Sequence, residues 1–336
     1  MSSWFVQPAA VADPSTPSGG NGYDRRVSAG LGLRDVLVPG AWPRPSEAST
    51  AALDQALGRV PDGEVVLVDG LVACGVPEVV LRHVERVRVV VLVHLPLADE
   101  VGQDPAVAAR LDAAERECLR GVAAVVATSP GAAARLAERH GVRVHSVPPG
   151  VEPAAVAAGT DGVSRLLSVA SVTPRKGHDV LVRALATVLD HRWTWAVVGP
   201  TPDVGHLGRV RESAAGFGDR VEWHGALVGE ALTRQYERAD LFVLPSWAET
   251  YGMVVTEALA RGVPVMASAV PDALGSGGLL LPSGDVEAWS GALRRWFESA
   301  ELREELRRAA SDRRAELSTW DETVEGLGAV LASLRA

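Results

Sequence analysis

Residues 64–95 read EVVLVDGLVACGVPEVVLRHVERVRVVVLVHL, and the two apolar runs in this stretch decide the fold. Glu64-Val65-Val66-Leu67-Val68-Asp69 and Val87 to Leu95 (VRVVVLVHL) are nearly continuous runs of valine and leucine. A strand with one wet face alternates apolar and polar residues, whereas a run without alternation suits a strand buried on both faces. Residues 76–86 between the runs carry a helical pattern. Strand, helix and strand in this order predict parallel pairing with helices covering the sheet.

The alternation extends in both directions. Trp4-Phe5-Val6 predicts a first short strand, followed by a Pro/Ser/Gly loop over 7–22 and a helix from near Tyr23. Ala123 to Thr128 (AAVVAT) predicts a further strand, and helical patterns cover 46–59, 105–120 and 131–140. Residues 148–162 (PPGVEPAAVAAGTDG) have no periodicity and predict an interdomain linker. After it, strands are expected at 165–171, 193–199, 220–225, 241–246, 264–270 and 279–281. Helices are expected at 177–190, 203–215, 228–239, 252–262, 286–298 and 300–317. A last helix, 320–334, has Ser318 and Thr319 available to cap it. The expectation is two doubly wound α/β domains in tandem, facing each other across a cleft, with ligands at the carboxyl ends of the strands.

Length and composition agree with that expectation. The chain has 336 residues, enough for two domains, and is 47% hydrophobic and 22% charged, as in soluble chains with sizeable cores. No uninterrupted apolar run reaches 18 residues, and no Lys or Arg precedes Arg25, so neither a membrane span nor a secretory signal is expected. Cys74 and Cys118 are too few for a disulfide scaffold. A net charge of −9 argues against a protein that lives on the nucleic-acid backbone. The expected location is the cytoplasm. One of the 33 basic residues, Lys176, is a lysine and the other 32 are arginines. In a chain so biased, a site that needs a compact ammonium is one reason to keep a lysine.

Two passages carry chemistry. Pro245 to Ser268 (PSWAETYGMVVTEALARGVPVMAS) predicts a strand end, a loop with Glu249, and a helix from near Gly252 that contains Glu257 and ends at Gly262. Backbone N–H groups of Tyr251, Gly252, Met253 and Val254 would head this helix and offer an anion or hydroxyl site. Glu249 and Glu257 are eight apart, about 12 Å along the axis if both were helical. Acids so spaced suit the two ends of one extended ligand, such as a nucleotide sugar. A plainer alternative pairs Glu257 with Arg261 at i,i+4 and leaves Glu249 as a solvated loop charge. Leu166 to Asp179 (LLSVASVTPRKGHD) places Arg175 and Lys176 at a helix start, where the helix dipole disfavours cations. An anion such as a diphosphate would resolve the conflict; two tolerated exposed charges are the alternative.

These passages, in this order, resemble the retaining glycosyltransferases of family GT4, which have the GT-B fold of two Rossmann-like domains. The acidic signature is Glu249-TYGMVVT-Glu257, and the basic one is TPRKGHDVLVRALA, 173–186. PPGVE, 148–152, resembles the turn between the domains, and STWDETVEGL, 318–327, resembles the closing helix that crosses back to the N-terminal domain. The resemblance implies an acceptor domain over 1–150, a donor domain over 151–317, and a crossing helix over 318–336. Pro17-Ser18-Gly19-Gly20-Asn21-Gly22 resembles the family's glycine loop, in which Gly20 and Gly22 would let the donor's diphosphate and the acceptor approach the backbone. A plain surface loop is the other reading. His94 stands where the family often has a histidine near the donor sugar, although a lone strand-end histidine is commonly structural. One departure is that Ala170-Ser171 occupy the place of the family's Gly-Arg pair.

The resemblance implies hexosyl transfer from a UDP- or GDP-sugar to an unidentified small-molecule or glycan acceptor, with retention and without a metal or other cofactor. Glu257 would hold the ribose, Glu249 the sugar hydroxyls, Arg175 and Lys176 the diphosphate, and His94 would orient the sugar. A phosphorylase or sugar-phosphate synthase on the same fold is a runner-up. A nucleotide-sugar-binding protein with weak or no transferase activity is the rival from another class, motivated by Ser171. Gly30-Leu31-Gly32 is only a partial dinucleotide fingerprint, and His140 and His145 lack zinc-site spacing. The charged helix 300–317 is expected to be solvated and laced with i,i+4 pairs, with a peripheral membrane contact as the alternative.

Overall fold

The computed structural model describes residues 3–12, 18–100 and 102–335. Pro17, the first residue of the glycine stretch, lies outside the described residues, as does part of the expected loop 7–22. The chain divides into two compact units, residues 1–150 with 318–336, and residues 151–317.

The first unit has strands β1 (Trp4–Pro8), β2 (Arg34–Val38), β3 (Val65–Asp69), β4 (Arg88–Val93), β5 (Ala124–Ala127) and β6 (Val144–Ser146). They form one sheet in the order β2-β1-β3-β4-β5-β6, with every pairing parallel. Its helices are α1 (Gly19–Leu31), α2 (Glu47–Gly58), α3 (Gly70–Ala73), α4 (Pro77–Val80), α5 (Pro105–Gly121) and α6 (Pro130–His140). The valine runs behave as their lack of alternation predicts, because both faces are covered. Val66, Val68, Val89 and Val91 enter one buried cluster, while Val65, Leu67, Val90 and Leu92 enter another on the opposite face.

Several local expectations are corrected. The helix expected near Tyr23 starts at Gly19, because the Ser18 side chain accepts the Asn21 N–H and caps it there. The glycine stretch is therefore the first turn of α1 rather than loop. The single helix expected over 76–86 is reduced to α4, with Pro77 in its first turn and turns after Leu81. Strands β2 and β6 were not expected: β2 (RDVLV) is an edge strand with charged residues at its start, and β6 has three residues.

The second unit has strands β7 (Arg165–Val169), β8 (Thr194–Val198), β9 (Val221–Gly225), β10 (Leu241–Leu244), β11 (Val265–Ala267) and β12 (Gly278–Leu280). Its parallel sheet runs β12-β11-β10-β7-β8-β9. The helices are α7 (His178–Leu185), α8 (Val204–Ser213), α9 (Gly229–Glu237), α10 (Met253–Leu259), α11 (Pro271–Leu274), α12 (Val286–Glu298) and α13 (Ala300–Arg314). Four buried tryptophans fill one face, and each indole N–H finds an acceptor. Trp193 donates to Val188 O, Trp195 to Ser168 Oγ, Trp289 to Ser268 Oγ and Trp296 to Val163 O. The linker is fastened to this unit by Asp240, whose carboxylate accepts from Thr160 N and Oγ1, Gly162 N and Arg165 N.

Helix α13 meets the expectation of a solvated helix over most of its surface and departs from it along one stripe. It buries Leu302, Leu306 and Ala310, and its arginines bind carbonyl groups of its own unit. Arg303 donates to Trp296 O, Arg307 to Gly162 O, and Arg314 to both Ala260 O and Ala154 O. Among the described residues no helix is long and apolar enough to cross a membrane.

The chain then returns to the first unit as α14 (Trp320–Ser333), opened by a capping box between Thr319 and Glu322. Leu327 and Leu331 of α14 pack with Phe5, Tyr23 and Val27. Gly150 is where the two passes of the chain meet, since a Cβ there would stand 2.2 Å from the Thr319 carbonyl carbon. No larger residue fits that crossing.

Candidate functional site

Both sheets reverse their strand order at one place, and an open α/β sheet binds ligands outside the carboxyl ends of the strands at such a switch. In the second unit the reversal falls between β7 and β10. The loop after β7 carries Arg175 and Lys176 in a short 3-10 turn, Pro174–Lys176, and the loop after β10 carries Ser246 and Glu249. Topology therefore places the basic and the acidic signature side by side.

The two loops are locked together. Gly177 has φ +65°, and a Cβ on it would stand 2.0 Å from Pro245 O, so the turn needs glycine both for its backbone and for this approach. Trp247 N donates to Arg175 O at 2.8 Å. Glu249 is nearly buried and accepts hydrogen bonds from the Lys176 ammonium on Oε1 and from Ser246 Oγ at 2.7 Å. Arg175 reaches Glu249 Oε2 at 3.4 Å and Ala248 O at 2.9 Å. Burial would raise the Glu249 carboxyl, but Lys176 and Arg175 outweigh it and hold the group below the usual carboxylate range. The anion that the cation turn called for is thus Glu249 itself, and the reading of Glu249 as a solvated loop charge is corrected.

Glu257 lies on α10, part-buried, and accepts the Tyr236 hydroxyl at 2.8 Å. Burial pushes its carboxyl upward, against the opposing pull of Tyr236 and Arg261. The alternative of a Glu257–Arg261 side-chain pair is also corrected. Arg261 donates to the Glu257 backbone carbonyl at 2.9 Å and stacks over the Tyr236 ring, 4.7 Å from its centroid. Helix α10 starts at Met253 after Gly252, which has φ +96° and offers no capping side chain. The Val254 carbonyl receives the Tyr236 hydroxyl at 3.4 Å, and Tyr251 is packed into the core of its unit. The helix closes at Leu259, earlier than the expected Gly262, whose N–H turns back to the Leu259 carbonyl. Ala170 and Ser171 follow β7, and the Ser171 carbonyl accepts Thr173 N–H.

In the first unit the reversal falls between β1 and β3. Helix α1 follows β1, Asp69 ends β3, and His94 follows β4. There His94 Nε2 stands 2.7 Å from Asp24 Oδ1 of α1 and 3.9 Å from Asp69 Oδ2. The Asp69 carboxylate also accepts Leu71 N–H at the start of α3. Gly20 packs on the imidazole, where a Cβ would lie 3.3 Å from His94 Cγ. Gly22 stands in the same turn of α1, its N–H on the Ser18 carbonyl at 3.0 Å. Burial alone would lower the imidazole, but Asp24, by charge and hydrogen bond, and Asp69 push it up to about 9. Burial and the Asp24 charge push Asp69 up to about 7, against the pull of His94 and the amides of Leu71 and Val72.

One ligand atom from each of Asp24, Asp69 and His94 lies within 4.8 Å of the others, which raises the question of a metal. Two ligands about 2.0 Å from a tetrahedral ion stand about 3.3 Å apart. The 2.7 Å contact between His94 and Asp24 is the spacing of a shared proton.

Sequence reasoning singled out Glu249, Lys176, Arg175, Glu257, Gly20 and His94, but not Asp24, Asp69, Ser246 or Tyr236. Asp69 had a signal, as a carboxylate closing an apolar strand. Asp24 lies 70 residues from His94, and Tyr236 lies 21 from Glu257, so only the fold brings these pairs together.

Comparison with known proteins gives a family match over part of the chain. Residues 163–299 match the family model of the group 1 glycosyl transferases. A D-inositol 3-phosphate glycosyltransferase of Streptomyces griseus is 36% identical over 166 residues, covering 45% of this chain and 35% of that protein. Its namesake from Nocardiopsis dassonvillei is 30% identical over 283 residues, covering 75% of this chain and 64% of that protein. The chain thus spans about a third to two thirds of the length of these relatives. Among solved structures, a sucrose-phosphate synthase from Thermosynechococcus elongatus superposes with a TM-score of 0.80 at 19% identity, covering 99% of each chain. Anabaena HepE, solved with UDP and glucose, gives 0.77 at 14% identity, covering 99% of this chain and 100% of that one. Both show the same fold, the GT-B arrangement of Rossmann-like domains.

Proposed function

We propose, on the premise that the second unit is a group 1 glycosyltransferase domain, that this chain is a retaining hexosyltransferase using a nucleoside diphosphate sugar. One observation carries the reading: Lys176, Arg175 and Glu249 sit together at the switch point of the second sheet, inside the segment that matches the family. The second unit takes the donor and the first takes the acceptor. Lys176 and Arg175 receive the diphosphate, Glu249 the sugar hydroxyls, and Glu257 the ribose diol. The backbone from Tyr251 through Gly252 and Met253 to Val254 lines the donor end. In the first unit His94 orients a substrate oxygen over the α1 turn that holds Gly20 and Gly22.

In the reaction the bond from the anomeric carbon to the phosphate oxygen breaks, and a bond to the acceptor oxygen forms on the same face. The acceptor's hydroxyl proton passes to the leaving phosphate. Before that, the ion pair must exchange: the diphosphate takes over the two cations, and the sugar hydroxyls take over the carboxylate. Charge on the leaving group is then met by fixed side chains, so transfer proceeds without a metal. The names of the relatives make a polyol phosphate the first acceptor to try.

The test is a thermal-shift panel with UDP, GDP, ADP and their hexose conjugates. A ligand at 100 times its dissociation constant adds about 2.7 kcal/mol, which is readily seen. Stabilisation by one base names the donor class, and product formed with inositol phosphate then names the acceptor class. Silence across the panel sinks the reading. Ser171, standing in place of the family's arginine, supports a second reading of nucleotide-sugar binding without transfer. That reading predicts stabilisation with no turnover.

A further inference from the structure

The first unit holds three ionisable side chains in a place where apolar packing would be cheaper. Asp24 and Asp69 are almost wholly buried, and His94 is about one-fifth exposed. Burying charges costs several kcal/mol per ion unless they are paired, and replacing such a group with apolar residues is often stabilising. The cluster also lies against the first turn of α1, where the helix dipole disfavours a cation. Beyond the cap that Asp69 gives α3, structure alone gives no reason to keep the cluster. Its location does, since its three elements meet at the carboxyl ends of the strands beside the β1/β3 switch point.

We infer that Asp24 and Asp69 are positioning residues that hold the proton and the orientation of His94, so that its ring enters the transfer as a fixed, cationic hydrogen-bond donor. The inference rests on the transferase reading for what the ring acts upon, namely a substrate oxygen that gains negative charge. The charged groups facing the ring are Asp24 from α1 and Asp69 from β3, while Tyr23 of α1 meets it edge-on, with ring centroids 5.4 Å apart. Asp24 binds Nε2, which fixes the rotation of the ring and leaves the other nitrogen as its donor toward substrate. Asp69 bears on the same nitrogen from 3.9 Å and keeps the positive charge favourable after burial. Gly20 packs close to the ring, and a Cβ there would press on the imidazole.

The experiment follows kcat/KM against pH, using whichever nucleotide hexose stabilises the protein most in the panel above. In the wild type, activity should hold to about pH 9, where His94 loses its proton, and then fall about tenfold per pH unit. Asp24→Asn should bring that fall down by at least one pH unit while leaving KM for the donor within about twofold. His94→Gln should abolish the alkaline limb and lower kcat by about a hundredfold. Should Asp24→Asn fail to fold, Asp69→Asn can still accept Leu71 N–H and gives the same test with a smaller displacement. NMR titration of the imidazole in the wild type, assigned by the signal missing from His94→Gln, reads the protonation without any activity. The two failures look different. An absence of stabilisation by every nucleotide hexose sinks the transferase reading. A full-rate Asp24→Asn enzyme with an unmoved limb, or a His94 that is neutral at pH 7 in the wild type, sinks this inference.

Discussion

Lys176, one lysine among 33 basic residues, stands against a nearly buried carboxylate. A compact ammonium reaches Glu249 Oε1 beside Ser246, and the guanidinium of Arg175 occupies the other carboxylate oxygen. Lys176→Ala leaves a buried carboxylate short of its nearest cation, which costs up to about 3 kcal/mol. At 2–4 °C per kcal/mol, the melting temperature should fall by up to about 6–12 °C. The dissociation constant of whichever nucleoside diphosphate stabilises the protein in the panel should rise at least tenfold; unchanged nucleotide affinity would falsify the cation assignment. Glu249 sits below its ordinary value, so its stabilisation is full above about pH 4.5 and lost as pH falls further. Without Lys176 that acid limb should move upward. His178, two residues on, behaves oppositely to His94. Neither of its buried ring nitrogens has a hydrogen-bond partner among the described residues, and the ring stacks on Trp195. Burial, then His206 and Lys176, push it down to about 3 from an ordinary 6.5. An unfolded chain takes up this proton below pH 6.5 while the folded one refuses it to about 3, so stability falls with acidity across that window. At pH 5 the loss approaches about 2 kcal/mol. His178→Leu should match the wild type at pH 7.5 and exceed it at pH 5, as read by urea midpoints at both pH values.

At the scale of elements, the turn from Pro174 to Gly177 is what brings cation and carboxylate together. Gly177→Ala meets both a left-handed backbone and the Pro245 carbonyl, whereas Gly229, φ +57°, has nothing within 4 Å of its would-be Cβ. Gly229→Ala should therefore cost only the conformational term, about 1–2 kcal/mol. Gly177→Ala should cost more and also weaken stabilisation by whichever nucleotide the panel selects, because the loop carrying Lys176 must shift. Equal losses in the two variants, with equal nucleotide responses, would reject the locked-loop account. The elements also show what sequence can and cannot give. Long runs buried on both faces, such as Val65–Asp69 and Arg88–Val93, were legible because nothing but a covered parallel strand suits them. The edge strand β2 was missed because an edge tolerates charge, and the start of α1 was misplaced because glycines masked a serine cap. The Glu249 and Lys176 motifs could be read locally. Their mutual pairing, and that of Asp24 with His94, depends on β-sheet order, which no local pattern records.

At the scale of the whole molecule, two sheets with separate cores come from one chain whose last helix belongs to the first unit. This separation makes the two halves distinguishable in a single measurement. Leu327 is fully buried against Phe5, Tyr23 and Val27, so Leu327→Ala should cost about 2–5 kcal/mol, all of it in the first unit. Nucleotide should act in the other unit, on the segments that carry Lys176, Glu249 and Glu257. Hydrogen exchange read by mass spectrometry can follow both at once. In Leu327→Ala, exchange should quicken through α1, β1 and α14. The nucleoside diphosphate that stabilises the protein in the panel should still slow exchange over 170–177 and 245–257 by the factor seen in the wild type. Were the variant to lose that protection as well, nucleotide binding would depend on the first unit's core. The assignment of the nucleotide to residues 151–317 would then fail.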